Sequence, residues 1–140
     1  MHRLLVCVIR DPKVRNALFE LPHLLRSEQM HAVLFHVVEV PMTSLLYEEQ
    51  FSREIEEAEA WISELEESLK PSFASVESKV VLSRDAAEAI LTEAEESYEA
   101  VVLFRRKKAA MKAIAKAVGA DTMSRVLRKL AKPVLVVPAH

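Results

Sequence analysis

Glycine is nearly missing from this chain: Gly119 is the only one among 140 residues. A phosphate cradle made of main-chain donors needs several residues without a Cβ, because forcing any other residue to positive φ costs on the order of 1 kcal/mol. A single glycine excludes a Walker-type loop and a GxGxxG turn. Cysteine is as scarce. Cys7 stands alone, which excludes an intrachain disulfide and any CxxC motif. Aromatic residues are sparse too, and none alternates with the basic residues as a stacking surface, so nucleic-acid binding is disfavoured. No apolar run approaches the roughly 20 residues that cross a bilayer. The first residues enter a strand pattern at once, without the cleavage pattern of a signal peptide. With the lone cysteine, this predicts a cytoplasmic protein.

The formal net charge of −2 hides a strong asymmetry. Residues 1–104 carry 9 Lys and Arg against 20 Asp and Glu, whereas residues 105–140 carry 10 against 1. Two readings follow: the basic segment attracts anions, or the two segments neutralise each other within the fold or across a dimer.

The pattern itself alternates strands with helices. Arg3–Ile9 and His31–Val40 are continuous aliphatic runs, as expected for strands covered on both faces. Asp11 followed by Pro12 predicts a helix start, and Pro22 interrupts the stripe Val14, Ala17, Leu18, Leu21, Leu25. A long acidic helix is predicted from about Leu46 to Leu69, with Phe51, Ile55, Ala58, Ile62, Leu65 and Leu69 on one face. Its glutamates read as a solvated face. Val76–Leu82 gives a third strand, Ser83-Arg84-Asp85 a cap, and Val101–Phe104 a fourth strand. A basic turn and helix from Arg105, a helix capped at Asp121 or Thr122, and a last strand over Pro133–Pro138 complete the pattern. This predicts one α/β domain over 1–140: a five-stranded parallel sheet with helices on both faces.

No catalytic constellation is legible. Cys7 lies in an apolar strand, where burial raises its pKa. His36 sits mid-strand as a satisfied histidine, and His2, His23, His31 and His140 lack metal-ligand spacing such as HExxH. A GxSxG elbow is absent. The basic segment places Lys108, Lys112 and Lys116 on one helical face, opposite Met111, Ile114, Ala115 and Val118. That face is either solvated or a site for phosphate, an acidic partner or an anionic membrane.

The order RLLVCVI, VLFHVVEVP, AVVLF and VGADTMSRVLRKLAKPVLVVP resembles the universal stress protein family over essentially the whole chain. The resemblance implies a Rossmann-like, adenine-nucleotide alpha-hydrolase-like sandwich, commonly dimeric through its last strand, here Val134, Leu135, Val136 and Val137. It implies no enzymatic activity. The opening RLLVCVIRDPKVRNALFELPHLL and VVEVP also resemble members fused to, or encoded beside, membrane transporters. That implies a transporter or anionic-surface partner for the basic helix 105–117. Nucleotide-binding members end strand one with an aspartate. After strand four they carry glycine, two residues, glycine, about nine residues, then glycine and Ser/Thr. Here Ile9 or Arg10 stands at the aspartate position, and Asp11 is displaced into the helix cap. Arg105 and Lys108, or Arg106 and Ala109, stand at the first two glycines. Gly119 matches, but Ala120 and Asp121 follow it. Val37 and Val38 match the strand whose backbone meets adenine. The resemblance thus implies a regulatory or binding domain without the usual ATP cradle and without an obligatory cofactor. The alternative is a module that holds ATP or AMP with Mg through Arg105, Arg106 and Lys108.

Overall fold

Aliphatic runs bounded by caps and prolines become the strands β1 (His2–Cys7), β2 (Met30–Glu39), β3 (Ser75–Ser83), β4 (Ala100–Arg106) and β5 (Val134–Ala139). The helices are α1 (Pro12–Glu20), α2 (Ser52–Leu69), α3 (Ala86–Ala94) and α4 (Val118–Lys129). The structure is a computed structural model that describes residues 2–41, 51–106 and 118–139, with backbone alone for 118–121. Its sheet has five strands, all parallel, in the order β3-β2-β1-β4-β5. The expected fold class is therefore observed.

Side-chain alternation along the strands feeds two cores, one on each face. On one face Leu4, Val6, Val8, Ala32, Leu34, Val102, Phe104 and Val137 pack with Val14, Leu18, Ile62, Leu65 and Leu69 of α1 and α2. On the other, Leu5, Val33, Phe35, Val101 and Leu103 pack with Ala87, Ile90 and Ala94 of α3 and Val126 of α4. Successive crossovers that move β1 to β2 to β3 share one face, and those that move β3 to β4 to β5 share the other. That is the outcome of a constant right-handed crossover.

Local chemistry sets the helix ends. Asp11 caps α1, its carboxylate accepting from the Lys13 N–H at 2.7 Å with Pro12 at the first position. Pro22 does end the regular helix: α1 stops at Glu20 and a 3-10 turn, Leu21–His23, follows. Asp85 caps α3 by accepting from the Glu88 N–H at 3.2 Å, and Arg125 of α4 meets the same carboxylate in a fork at 3.0 and 2.8 Å. Losing this cap and clamp in Asp85→Ala is expected to cost about 1–2 kcal/mol, mostly from the cap, since solvent screens the half-exposed ion pair. Urea unfolding measures it. The Arg125 hydrogen bonds, with those from the Glu88 and Ala87 N–H groups, hold the Asp85 carboxyl below the usual carboxylate range against a smaller upward push from burial. The unfolded chain therefore takes up this proton first. The contribution is full above the ordinary carboxylate pKa and disappears as pH falls through the folded value.

Two expectations need correction. Arg105 and Arg106 do not open a turn: β4 runs two residues past Phe104 and carries them, paired with Pro138 and Ala139 of β5, which itself ends one residue later than predicted. Asp121 and Thr122 do not cap α4, which spans Val118–Lys129 and carries them inside it. Gly119 lies in that helix as well, and no described residue has positive φ. The one glycine is thus spent on helix, at a propensity cost of about 1 kcal/mol, rather than on a left-handed turn. The predicted start of the long helix, residues 46–50, and the basic helix beyond Arg106 lie outside the described residues.

Candidate functional site

In an open parallel sheet, ligands bind beyond the carboxyl ends of the strands where the strand order reverses. Here β1 is flanked by β2 and β4, so the reversal lies between β1 and β4. Their carboxyl ends deliver Val8, Ile9, Arg10 and Asp11 on one side and Arg105 and Arg106 on the other. Across this crevice Arg106 Nη1 stands 3.6 Å from Asp11 Oδ2. The displaced aspartate is thus doubly engaged: one oxygen caps α1 and the other faces a guanidinium. Ile9 is left exposed beside it, at 38% of its full surface.

Next to the crevice, at the end of β2, lies an open depression of about 300 Å³ lined by Arg10, His36, Val37, Val38, Glu39, Glu54, Glu57 and Ala58. Val37 and Val38 are zipped to Val81 and Leu82 of β3, so the sheet fixes one wall. Helix α2 supplies the other through Glu54, Glu57 and Ala58, one helical turn apart. Carboxylates outnumber guanidinium groups in this lining three to one. Glu57 shares its charge with exposed Arg53 at 3.8 Å.

His36 braces the floor. Its Nδ1–H donates to the Val8 carbonyl at 2.9 Å, and its ring meets Trp61 edge-on at 4.9 Å between centroids. Burial lowers its pKa, the Val8 carbonyl opposes this, and the nearby Arg10 charge lowers it further. A neutral histidine in the fold that protonates more readily when unfolded makes stability fall as pH drops below about 6.5, the ordinary histidine value. Denaturant midpoints should therefore drop from pH 7 to pH 5, and His36→Asn should flatten that part of the profile.

Cys7 lies on the opposite face of β1, packed against the second core. Burial, helped by the Glu93 charge, pushes its thiol up to about 12. At pH 8 its thiolate population falls on the order of 10³ below that of an ordinary cysteine. Native protein should therefore react with Ellman's reagent much more slowly than urea-unfolded protein. Equal rates would contradict the burial.

Of the residues expected at a nucleotide site, Ile9, Arg10, Asp11, Val37, Val38, Arg105 and Arg106 converge at this end of the sheet. Gly119, Ala120 and Asp121 lie in α4, and Lys108 lies outside the described residues. Two features were not read from sequence. The Asp11–Arg106 pair joins residues 95 positions apart and needed strand order to find. Glu54 and Glu57 are exposed, as the solvated acidic face predicts, and only packing of α2 on β2 sets them along the rim of the depression.

Residues 1–138 match the model of the universal stress protein family. The chain belongs to that family. No curated protein sequence is similar enough to match. Solved structures superpose along its length. A universal stress protein from Archaeoglobus fulgidus in complex with dAMP is 16% identical with a TM-score of 0.67, covering 98% of each chain. A family protein from Burkholderia pseudomallei is 18% identical at TM-score 0.72, covering 98% of this chain and 96% of its own. A universal stress protein in complex with cAMP is 12% identical at TM-score 0.63, covering 99% and 98%. At these identities the likeness is one of fold. Among the described residues of this universal stress protein, no helix is long and apolar enough to cross a membrane.

Proposed function

We propose that this universal stress protein is a regulatory binding domain, formed by residues 1–140 as one unit, that does not hold ATP in a glycine cradle. One observation carries the reading: the Asp11–Arg106 ion pair occupies the strand-order reversal. A phosphate arriving there meets a guanidinium whose charge is already paired with a carboxylate at 3.6 Å, and a β4 terminus held in the sheet by Pro138 and Ala139. Beside it, Glu39, Glu54 and Glu57 oppose Arg10 alone, a lining that repels a triphosphate. Such a domain works through its surfaces and assembly rather than by turnover. Its assembly is a homodimer formed on β5, an edge of the sheet, in the cytoplasm.

A second reading rests on the superposed proteins solved with dAMP and cAMP. A monophosphate brings less charge than ATP, and exposed Arg105 and Arg106 could hold it by side chains. Small molecules released by denaturing freshly purified protein separate the two. The first reading predicts no adenine nucleotide near one per chain. ATP at that level would overturn it, and a monophosphate lost in Arg106→Ala would establish the second.

A further inference from the structure

The other end of the sheet holds an arrangement of a different kind. His31, near the start of β2, is in register with Ser75, the first residue of β3. Its Nδ1 is hydrogen-bonded to the Ser75 hydroxyl, and its Nε2 lies 2.9 Å from Glu77 Oε2. Ser75 and Glu77 are two apart on one strand, so alternation puts both on the face of His31. The Glu77 carboxylate accepts only, which places the ring proton on Nε2 and leaves the Nδ1 lone pair to take the serine proton. Arg3 of β1 is in register with His31. Its guanidinium stacks 4.5 Å over the Tyr98 ring and donates to the Ser97 carbonyl at 3.2 Å, leaving further N–H donors at the end of this row. Ser75 is half-buried, and the Glu77 side chain is 54% exposed, so a small reagent can reach the group.

A hydroxyl bonded to a histidine that is itself held by a carboxylate is the arrangement that turns serine into a nucleophile. We propose that Ser75 is an acyl-acceptor site, activated by His31 and positioned through Glu77, that takes the acyl group of small carboxylic esters. The Ser75 oxygen bonds to the ester carbonyl carbon while its proton passes to His31 Nδ1. The bond from that carbon to the ester oxygen then breaks, and the alcohol leaves with the proton from Nδ1. The products are O-acyl-Ser75 and the free alcohol, and no oxidant or reductant is involved. The site is independent of the proposed nucleotide end of the sheet.

The bland role of these bonds is to pin the edge strand β3 to β2. That role affects stability but transfers no acyl group. The test is incubation of the full chain with p-nitrophenyl acetate, followed by intact mass and peptide mapping. One acetyl group on Ser75 is expected, absent in Ser75→Ala. His31→Gln should slow its appearance about 10²–10⁴-fold, the range for loss of a general base. Glu77→Gln should slow it as well, by favouring the wrong tautomer. Circular dichroism checks that each variant is folded, and Ser75→Cys, which keeps a nucleophile, should be acylated if the alanine variant fails to fold. Folded wild-type protein with no acetyl on Ser75, or equal labelling of Ser75 in His31→Gln, overturns the proposal.

Discussion

Phe35→Ala is expected to lower the unfolding free energy by about 3–5 kcal/mol. Phe35 is 2% exposed and is the bulkiest of the fully buried side chains. It sits on β2, bonded through the ladder to Cys7 of β1 and Lys79 of β3, so its backbone is fixed from both sides. Its ring belongs to the second core, with Leu5, Val33, Ala87, Ile90 and Val101. Ladders on both sides prevent these strands from closing over the space, and an unfilled cavity adds its own cost to the lost transfer energy. Urea unfolding with an unchanged m-value would give the number directly. A loss below about 1 kcal/mol would mean that the core collapses freely, against the close-packed interior described here.

The second large effect concerns assembly. Val136→Lys should convert the proposed homodimer into a monomer or insoluble protein, read by light scattering of the purified chain. Strand β5 lies at one end of the sheet, paired only with β4. Leu135 and Val137 point into the core shared with α1 and α2, and Val137 is 6% exposed, so these two already have partners within the protomer. Val134 packs on the other face, against the α3–α4 core. Val136, only partly covered, remains the apolar side chain best placed to meet a second copy. An apolar edge strand without a partner invites uncontrolled pairing, and a lysine there is the common natural remedy. An unchanged dimer in Val136→Lys would remove β5 from the interface.

Much of the fold was legible because parallel strands covered on both faces must be apolar throughout. RLLVCVI, HAVLFHVVEV and PVLVVP admit few other readings. Caps at Asp11 and Asp85 were equally plain, since a short acidic side chain before a helical stripe satisfies the first free N–H groups. What misled was charge. Arg105 and Arg106 looked like the start of a turn, yet strand pairing with Pro138 and Ala139 overrides their polarity and keeps them extended. Gly119 matched a glycine position of the nucleotide-binding members, yet it lies within a helix. The contacts that could bear function were the least legible. Asp11 with Arg106, and His31 with Ser75 and Glu77, are joined by strand order and register, which no local pattern encodes.

The central claim is that the ATP cradle has been replaced by an ion pair and an acidic wall. Calorimetric titration of nucleotide-free protein with Mg-ATP tests it most directly. The account predicts no saturable heat. Saturable binding at micromolar or tighter affinity would contradict it, and would mean that Arg105, Arg106 and their basic neighbours hold the triphosphate despite the carboxylates around them.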